Sequence, residues 1–180
     1  MERLLIVAGG VDRKGVVYKI TKILKKYNFN IEDSSMILLR RTFSMIMMVS
    51  HDGKYSKKDF REDIRDFRRK NDMGVDIRKI TEKDCIEYNE EGGIYLLSIS
   101  GADKPGIVNE ITKILYKNDV NIIDLETKSS EKVKPHAYYM FMEVDVPGKT
   151  GIKKLEKELK LAARKIGVKV NINMVDTDIL

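Results

Sequence analysis

Apolar and polar residues alternate along this chain in two rhythms, and the sequence of rhythms comes round twice. Short apolar runs, Arg3–Ala8 and Ile94–Ile99, each end in a glycine-containing turn and predict buried strands. Helical spacing follows both. Val16, Val17, Ile20, Ile23, Leu24 and Tyr27 share one face, and Ile107, Val108, Ile111, Ile114 and Leu115 repeat it. Lys22, Lys25 and Lys26 fall on the other side of the first helix, and Pro105 fits the first turn of the second. Stretches 43–49 and 139–144, rich in Met and aromatics, predict central strands, with hairpin tips at Arg40–Arg41 and Glu131–Lys134 before them. A second amphipathic helix follows in each half: Phe60, Ile64 and Phe67 mark the first, and Ile152, Leu155, Leu159, Ala162 and Ile166 the second. Last come Val75–Ile80 and the alternating Val168, Val170, Ile172 and Met174, a strand with one helix-free face.

The recurrence is a sequence repeat with a constant offset. Residues 7–33 align without a gap on 98–124: Gly10 falls on Gly101, Asp12 on Asp103, Gly15 on Gly106, and Ile20-Thr21-Lys22-Ile23-Leu24 recurs as Ile111-Thr112-Lys113-Ile114-Leu115. Asn30-Ile31 and Asp33 recur as Asn121-Ile122 and Asp124. A period near half the chain predicts two copies of one domain. Each copy reads β-α-β-β-α-β, which with right-handed crossovers gives a four-stranded antiparallel sheet with two helices on one face. The expected architecture is therefore α+β, two ferredoxin-like plaits over residues 1–84 and 94–180, joined by a polar linker at 85–93 that ends in Gly92-Gly93.

Composition narrows this picture slightly. The chain has 180 residues, 34 basic and 28 acidic, so the net charge of +6 is mild and dispersed. Such a balance bears on solubility and steering without naming a partner. Cys85 is the one cysteine, which excludes an intrachain disulfide and a Cys-cluster metal site and points to a reducing, cytoplasmic setting. The start of the chain is apolar for too few residues to be a signal or a membrane span. Gln and Trp are absent while Lys, Glu and Ile abound, a bias that fits a thermophile or an AT-rich genome.

Chemistry concentrates in the turns 10–15 and 101–106, each between a strand and a helix N-terminus. Their glycines permit close backbone approach and positive φ. First-turn N–H groups and the helix dipole suit an anion. An amino acid's carboxylate fits there, with the Asp accepting from its ammonium group; the structural alternative is a tight turn with Asp as helix cap. A phosphate-binding P-loop needs Lys-Ser/Thr after its second Gly, and Val16-Val17 and Ile107-Val108 stand there instead. Asn30 and Asn121 follow the first helix of each copy, as helix caps or as ligand contacts, and Asp33-Ser34-Ser35 adds polar groups nearby.

The order Gly-x-Asp-(Arg/Lys)-x-Gly-Ile/Val-Val, helix, Asn-Ile, and a long hairpin ending Phe43-Ser44-Met45-Ile46-Met47-Met48-Val49 resembles the ACT domain. Its repetition resembles the two-ACT-domain family typified by the glycine cleavage system transcriptional repressor, and stand-alone ACT proteins. The resemblance implies a non-catalytic regulator that binds a small ligand, commonly an amino acid, at an interface of paired domains, and passes occupancy to a partner protein. It implicates Gly10, Asp12, Arg13, Gly15 and Asn30 in copy one, and Gly101, Asp103, Lys104, Pro105, Gly106 and Asn121 in copy two. Copy one departs from the family at Lys14, where Pro is frequent, as at Pro105. No cofactor or metal is implied, and a homo-oligomer is expected from sheet edges that need covering.

Two rivals remain. His51 and His136 belong to no nucleophile or metal constellation, which disfavours an enzyme. RNA-recognition plaits expose aromatics on the open sheet face. Tyr138, Tyr139 and Phe141 invite that comparison, but Glu143 alternates with them, so packing in the core or an interface is expected, without direct nucleic-acid or membrane binding. Arg61–Lys70 reads as a solvated face with i,i+4 pairs, and Met45–Met48 as core.

Overall fold

A computed structural model describes residues 1–85, 92–130 and 136–175. Its contacts divide the chain into two units, Met1–Glu87 and Tyr88–Leu180. Unit 1 runs β1 (Glu2–Val11), α1 (Val16–Lys26), β2 (Asn30–Leu39), β3 (Thr42–His51), α2 (Lys57–Asn71) and β4 (Met73–Ile80), followed by a short 3-10 turn at Glu82–Cys85. Unit 2 runs β5 (Gly92–Ala102), α3 (Ile107–Lys117), β6 (Asn121–Ser130), β7 (Ala137–Pro147), α4 (Ile152–Ile166) and β8 (Val168–Met174). The sheets are antiparallel with orders β2-β3-β1-β4 and β6-β7-β5-β8, so each unit is the predicted βαββαβ plait.

Each unit has its own core. In unit 1, Ile6 and Met47 meet Ile20 and Leu24 of α1 and Phe60, Ile64 and Phe67 of α2. In unit 2, Leu97 and Met142 meet Ile111, Leu115, Leu155 and Leu159. Each such side chain, fully buried, contributes about 1.5–3 kcal/mol against conformational entropy of similar total size. Most of each predicted helical face is buried, but Val17 and Val108 are exposed, and Ala163 rather than Ala162 is sealed in α4, one position round the helix.

Several local expectations shift. β1 and β5 run past the predicted Ala8 and Ile99, because Val11 still pairs with Thr42 and Ala102 with Ala137. Gly10 and Gly101 therefore lie within strands. β5 also takes in Gly92 and Gly93, expected in the linker; residues 86–91, and the hairpin tip at 131–134, lie outside the described residues. Arg40 turns the first hairpin with φ 57°. Pro105 stands just before the cap Gly106 and not in the helix's first turn. α1 and α3 end through Asn28 (φ 59°) and Asp119 (φ 58°), with Phe29 and Val120 donating back to Leu24 and Leu115 across the left-handed step. Asn30 and Asn121 are thus not caps: they open β2 and β6.

Tyr138 is buried, but Tyr139 and Phe141 are 45% and 41% exposed, since alternation along β7 turns them to the open sheet face, which excludes the core placement for these two. Edge strand β2 is exposed at all ten residues, including Met36, Ile37, Leu38 and Leu39; its counterpart β6 carries Thr127, Lys128, Ser129 and Ser130 near the same end. Asp66 pairs with Lys70 at 3.1 Å and Arg69 at 3.2 Å on the solvated side of α2.

Candidate functional site

The two turns are built alike. Asp12 N–H donates to the Arg41 carbonyl at 2.8 Å, and Asp103 N–H to the His136 carbonyl at 2.8 Å, which ties each turn to the segment entering β3 or β7. Gly15 and Gly106 occupy the N-cap positions of α1 and α3 with φ 84° and 93°, in the left-handed region that favours glycine. Neither helix start receives a side-chain cap; in unit 1 Val16 N–H donates back to the Arg13 carbonyl at 3.2 Å, and at both starts the helix dipole is positive toward the turn. The Asp residues do not cap: Asp103 accepts from Ser129 Oγ at 2.7 Å and so links the turn to the end of β6.

The glycines of the repeated pattern have separate reasons. A Cβ at Gly10 would lie 2.6 Å from Met73 Sδ and 2.9 Å from the Asp72 carbonyl; at Gly101 it would lie 2.9 Å from Val168 Cγ1. These positions let β4 and β8 start against the strand. Gly15 and Gly106 have open space and need glycine for φ alone. Lys104 swings back over Gly167, whose Cβ would meet Nζ at 3.2 Å. Arg13 and Pro105 lie exposed in their turns.

Gly10, Asp12, Arg13 and Gly15 thus gather at one end of unit 1, and Gly101, Asp103, Lys104, Pro105 and Gly106 at the same end of unit 2. The asparagines do not join them. Asn30 and Asn121 lie beyond the far ends of α1 and α3, 11-residue helices that span about 16 Å. Each Asn instead borders a groove between its helix and the edge strand. In unit 1 the groove encloses about 910 Å³ beside Thr21, Lys22, Lys25, Asn28 and Asn30; in unit 2 it encloses about 490 Å³ beside Thr112, Lys113, Tyr116 and Asn121. Both asparagine amides are exposed and make no hydrogen bond among the described residues. Thr21 and Thr112 spend their hydroxyls on helix carbonyls four residues back.

Sequence reasoning missed Ser129, the Arg41 and His136 carbonyl ties and these grooves. Only the recurring Thr-Lys pair carried a signal for them, through the shared 91-residue offset. Among the described residues no three His, Cys, Asp or Glu are placed to hold a metal ion, and no helix is long and apolar enough to cross a membrane.

Comparison with known proteins agrees with this fold. Two sequence profiles, each of an ACT domain, fit residues 2–78 and 95–160. Over part of its length the chain is similar to a UPF0237 protein of Methanococcus maripaludis, 35% identical over 78 residues that make up 43% of this chain and 82% of the relative. Over nearly its whole length the chain is similar to the glycine cleavage system transcriptional repressor of Escherichia coli, 22% identical over 176 residues, 96% of this chain and 90% of the relative. The crystal structure of an unknown protein from Galdieria sulphuraria shares the fold with a TM-score of 0.77, at 24% identity, over 97% of this chain and 99% of that one.

Proposed function

The chain belongs to the ACT domain family, with two ACT units in tandem, and we propose that it is a non-catalytic regulatory protein that binds a small ligand, an amino acid by its chemistry, and transmits occupancy to a partner protein. The observation that carries this reading is the turn built twice around an uncapped helix start, with the Asp103 carboxylate beside it in unit 2. An α-carboxylate would take the open N–H groups of residues 106–108, and an α-ammonium would take Asp103. The same pair in unit 1 is Gly15 with Asp12. Because each Asn lies a helix length from its own turn, one small ligand does not touch both within a single ACT unit. The exposed edge strand β2 supports a homo-oligomer whose pairing responds to ligand.

The repressor relative supports a transcriptional or metabolic output, which passes through another protein. Direct nucleic-acid binding is the weaker reading. Tyr139 and Phe141 are exposed on a central strand, with Lys128 across from Tyr139, but Glu126 pairs with that lysine and stands across from Phe141, and Asp124 stands across from Glu143, so the platform carries no excess of positive charge for phosphate.

The test is thermal unfolding of the full chain against a panel of amino acids. A ligand at 100 times its Kd adds about 2.7 kcal/mol to the unit it occupies. One amino acid should raise the midpoint while its near neighbours do not, and Asp103→Ala should abolish the shift. A flat panel, or an undiminished shift in that variant, would refute the reading.

A further inference from the structure

Unit 1 holds a second cavity that unit 2 lacks the residues to form. About 320 Å³ opens between the start of β1, the end of β4 and the first turns of α2. Its floor is apolar: Leu4, Phe60 and Ile77. Its rim carries Lys57, Arg61 and Lys79 around one carboxylate, Glu2. Lys57 donates to Glu2 at 2.9 Å and holds that carboxyl below its ordinary range, so this pair is internally neutral. Arg61 and Lys79 make no ion pair among the described residues. Lys79 stands directly opposite Leu4 in the β1–β4 ladder and shares its face of the sheet. Lys79 also acts on the Glu2 carboxylate, so the rim sets three cations against one carboxylate and keeps an excess of positive charge beside an apolar floor.

The duplication supplies an internal control. In unit 2 Tyr95 occupies the place of Leu4, opposite Met174, which replaces Lys79. The Tyr95 ring packs on the unit 2 core and reaches within 3.2 Å of where a Cβ on Gly93 would sit, and Gly93 itself stands in the place of Glu2. The α4 residues aligned with Lys57 and Arg61 are Ile152 and Glu156. A ring fills the space in one copy, and every charged rim position has lost or reversed its charge. In unit 1 the smaller Leu4 leaves the space open and the cations surround it.

From this we propose that unit 1 carries a binding site for a small organic acid at the β1–β4–α2 cavity, separate from the turn and Asn positions above. The anionic head lies between Arg61 and Lys79, and the apolar body rests on Leu4, Phe60 and Ile77. Desolvation by the floor strengthens the charge-assisted contacts. Those positions are common to both units, whereas this site belongs to unit 1 alone.

Hexanoate is the probe, titrated into the isotope-labelled full chain and followed by amide NMR, with 1-hexanol as the uncharged control. Hexanoate should shift the amides of Leu4, Tyr55, Arg61 and Ile77 saturably, and hexanol should bind at least about tenfold more weakly if the cations contribute as charge-assisted bonds do. Leu4→Tyr, which installs the residue of unit 2, should abolish the shifts. The double variant R61A/K79A, which changes only exposed side chains, should weaken hexanoate by at least about tenfold and leave hexanol unchanged. Saturable binding that survives both variants, equal affinity for hexanoate and hexanol, or shifts confined to residues 101–121 would overturn the proposal. The last of these outcomes would leave the turn-site reading standing.

Discussion

Alanine at Gly10 is the sharpest probe of why the turn pattern contains two glycines. Its methyl would sit 2.6 Å from Met73 Sδ, 2.9 Å from the Asp72 carbonyl oxygen and 3.4 Å from Met73 Cα, where carbon contacts ordinarily lie at roughly 3.5–4.0 Å. The thioether can rotate away; the carbonyl belongs to the backbone that leads into β4 and pairs at Gly10–Met73. Overpacking of this kind costs about 1–3 kcal/mol, and 2 kcal/mol in a unit of this size lowers the unfolding midpoint by about 8–16 °C. Gly15→Ala serves as control: it meets no atom within 4 Å, and its cost of about 1–2 kcal/mol comes from the left-handed φ of 84°. The two mechanisms separate in a cycle with Met73→Ala. That change alone opens a void costing about 2–5 kcal/mol, and the new methyl at position 10 partly fills it. G10A/M73A should therefore cost at least about 0.5 kcal/mol less than the sum of its parts, while G15A/M73A adds normally. Urea titration read on unit 1 amides by NMR resolves this unit from the other. Simple additivity in G10A/M73A would show that the glycine is not there to admit β4.

Three further outcomes are expected. Glu2 has its carboxyl pKa lowered chiefly by the Lys57 hydrogen bond, so its contribution is complete above the unfolded Glu value near about 4.3 and is lost as pH falls through the lower folded value. The stability gap between wild type and Lys57→Ala, measured by thermal unfolding from pH 7 to pH 3, should close on acidification; a constant gap would refute the pairing. Asn118 is buried, donates to Ile114 O and to Glu158 Oε2 at 3.0 and 2.8 Å, and should cost about 1–3 kcal/mol as Asn118→Ala in chemical denaturation of unit 2. Leu38→Lys with Leu39→Lys changes exposed edge positions, so unfolding should move by no more than about 0.5 kcal/mol while self-association, followed by light scattering, falls.

Much of the fold was legible because its determinants are local and repeated. Ile20, Leu24, Ile64 and Leu159 announce their helix faces by spacing alone, and the 91-residue offset turned one plait into two. What the residues did not disclose depends on partners far away in the chain. The extra length of β1 comes from Gly9, Gly10 and Val11 finding Ser44, Phe43 and Thr42, a property of the ladder. The bond from Ser129 to Asp103 joins residues 26 apart, so a cap at Asp103 was the better guess from sequence. Asn30 stood too near a helix end to be told from a cap until Asn28 was seen in the left-handed conformation. The turn residues lie together within each unit, as residues contiguous in sequence must; the separation of the asparagines follows from helix length, which spacing could have supplied. The β1–β4–α2 cavity had no local signature, since residues 2, 4, 57, 61 and 79 form no pattern along the chain.

Two cores that share no residue also bear on synthesis. Unit 1 ends at Glu87, and the 30 residues up to Lys117, the end of α3, take about 1.5–6 s to emerge at ordinary ribosomal rates, whereas mixed α/β domains of this size fold in milliseconds to seconds. Unit 1 has thus closed β1 against β3 and β4 before a second Ile-Thr-Lys-Ile-Leu helix exists to compete for the same sheet. A chain refolded whole from denaturant loses that head start. Exchange of near-identical elements between the copies then becomes available, and refolding yield should depend on whether the halves are released together or in turn.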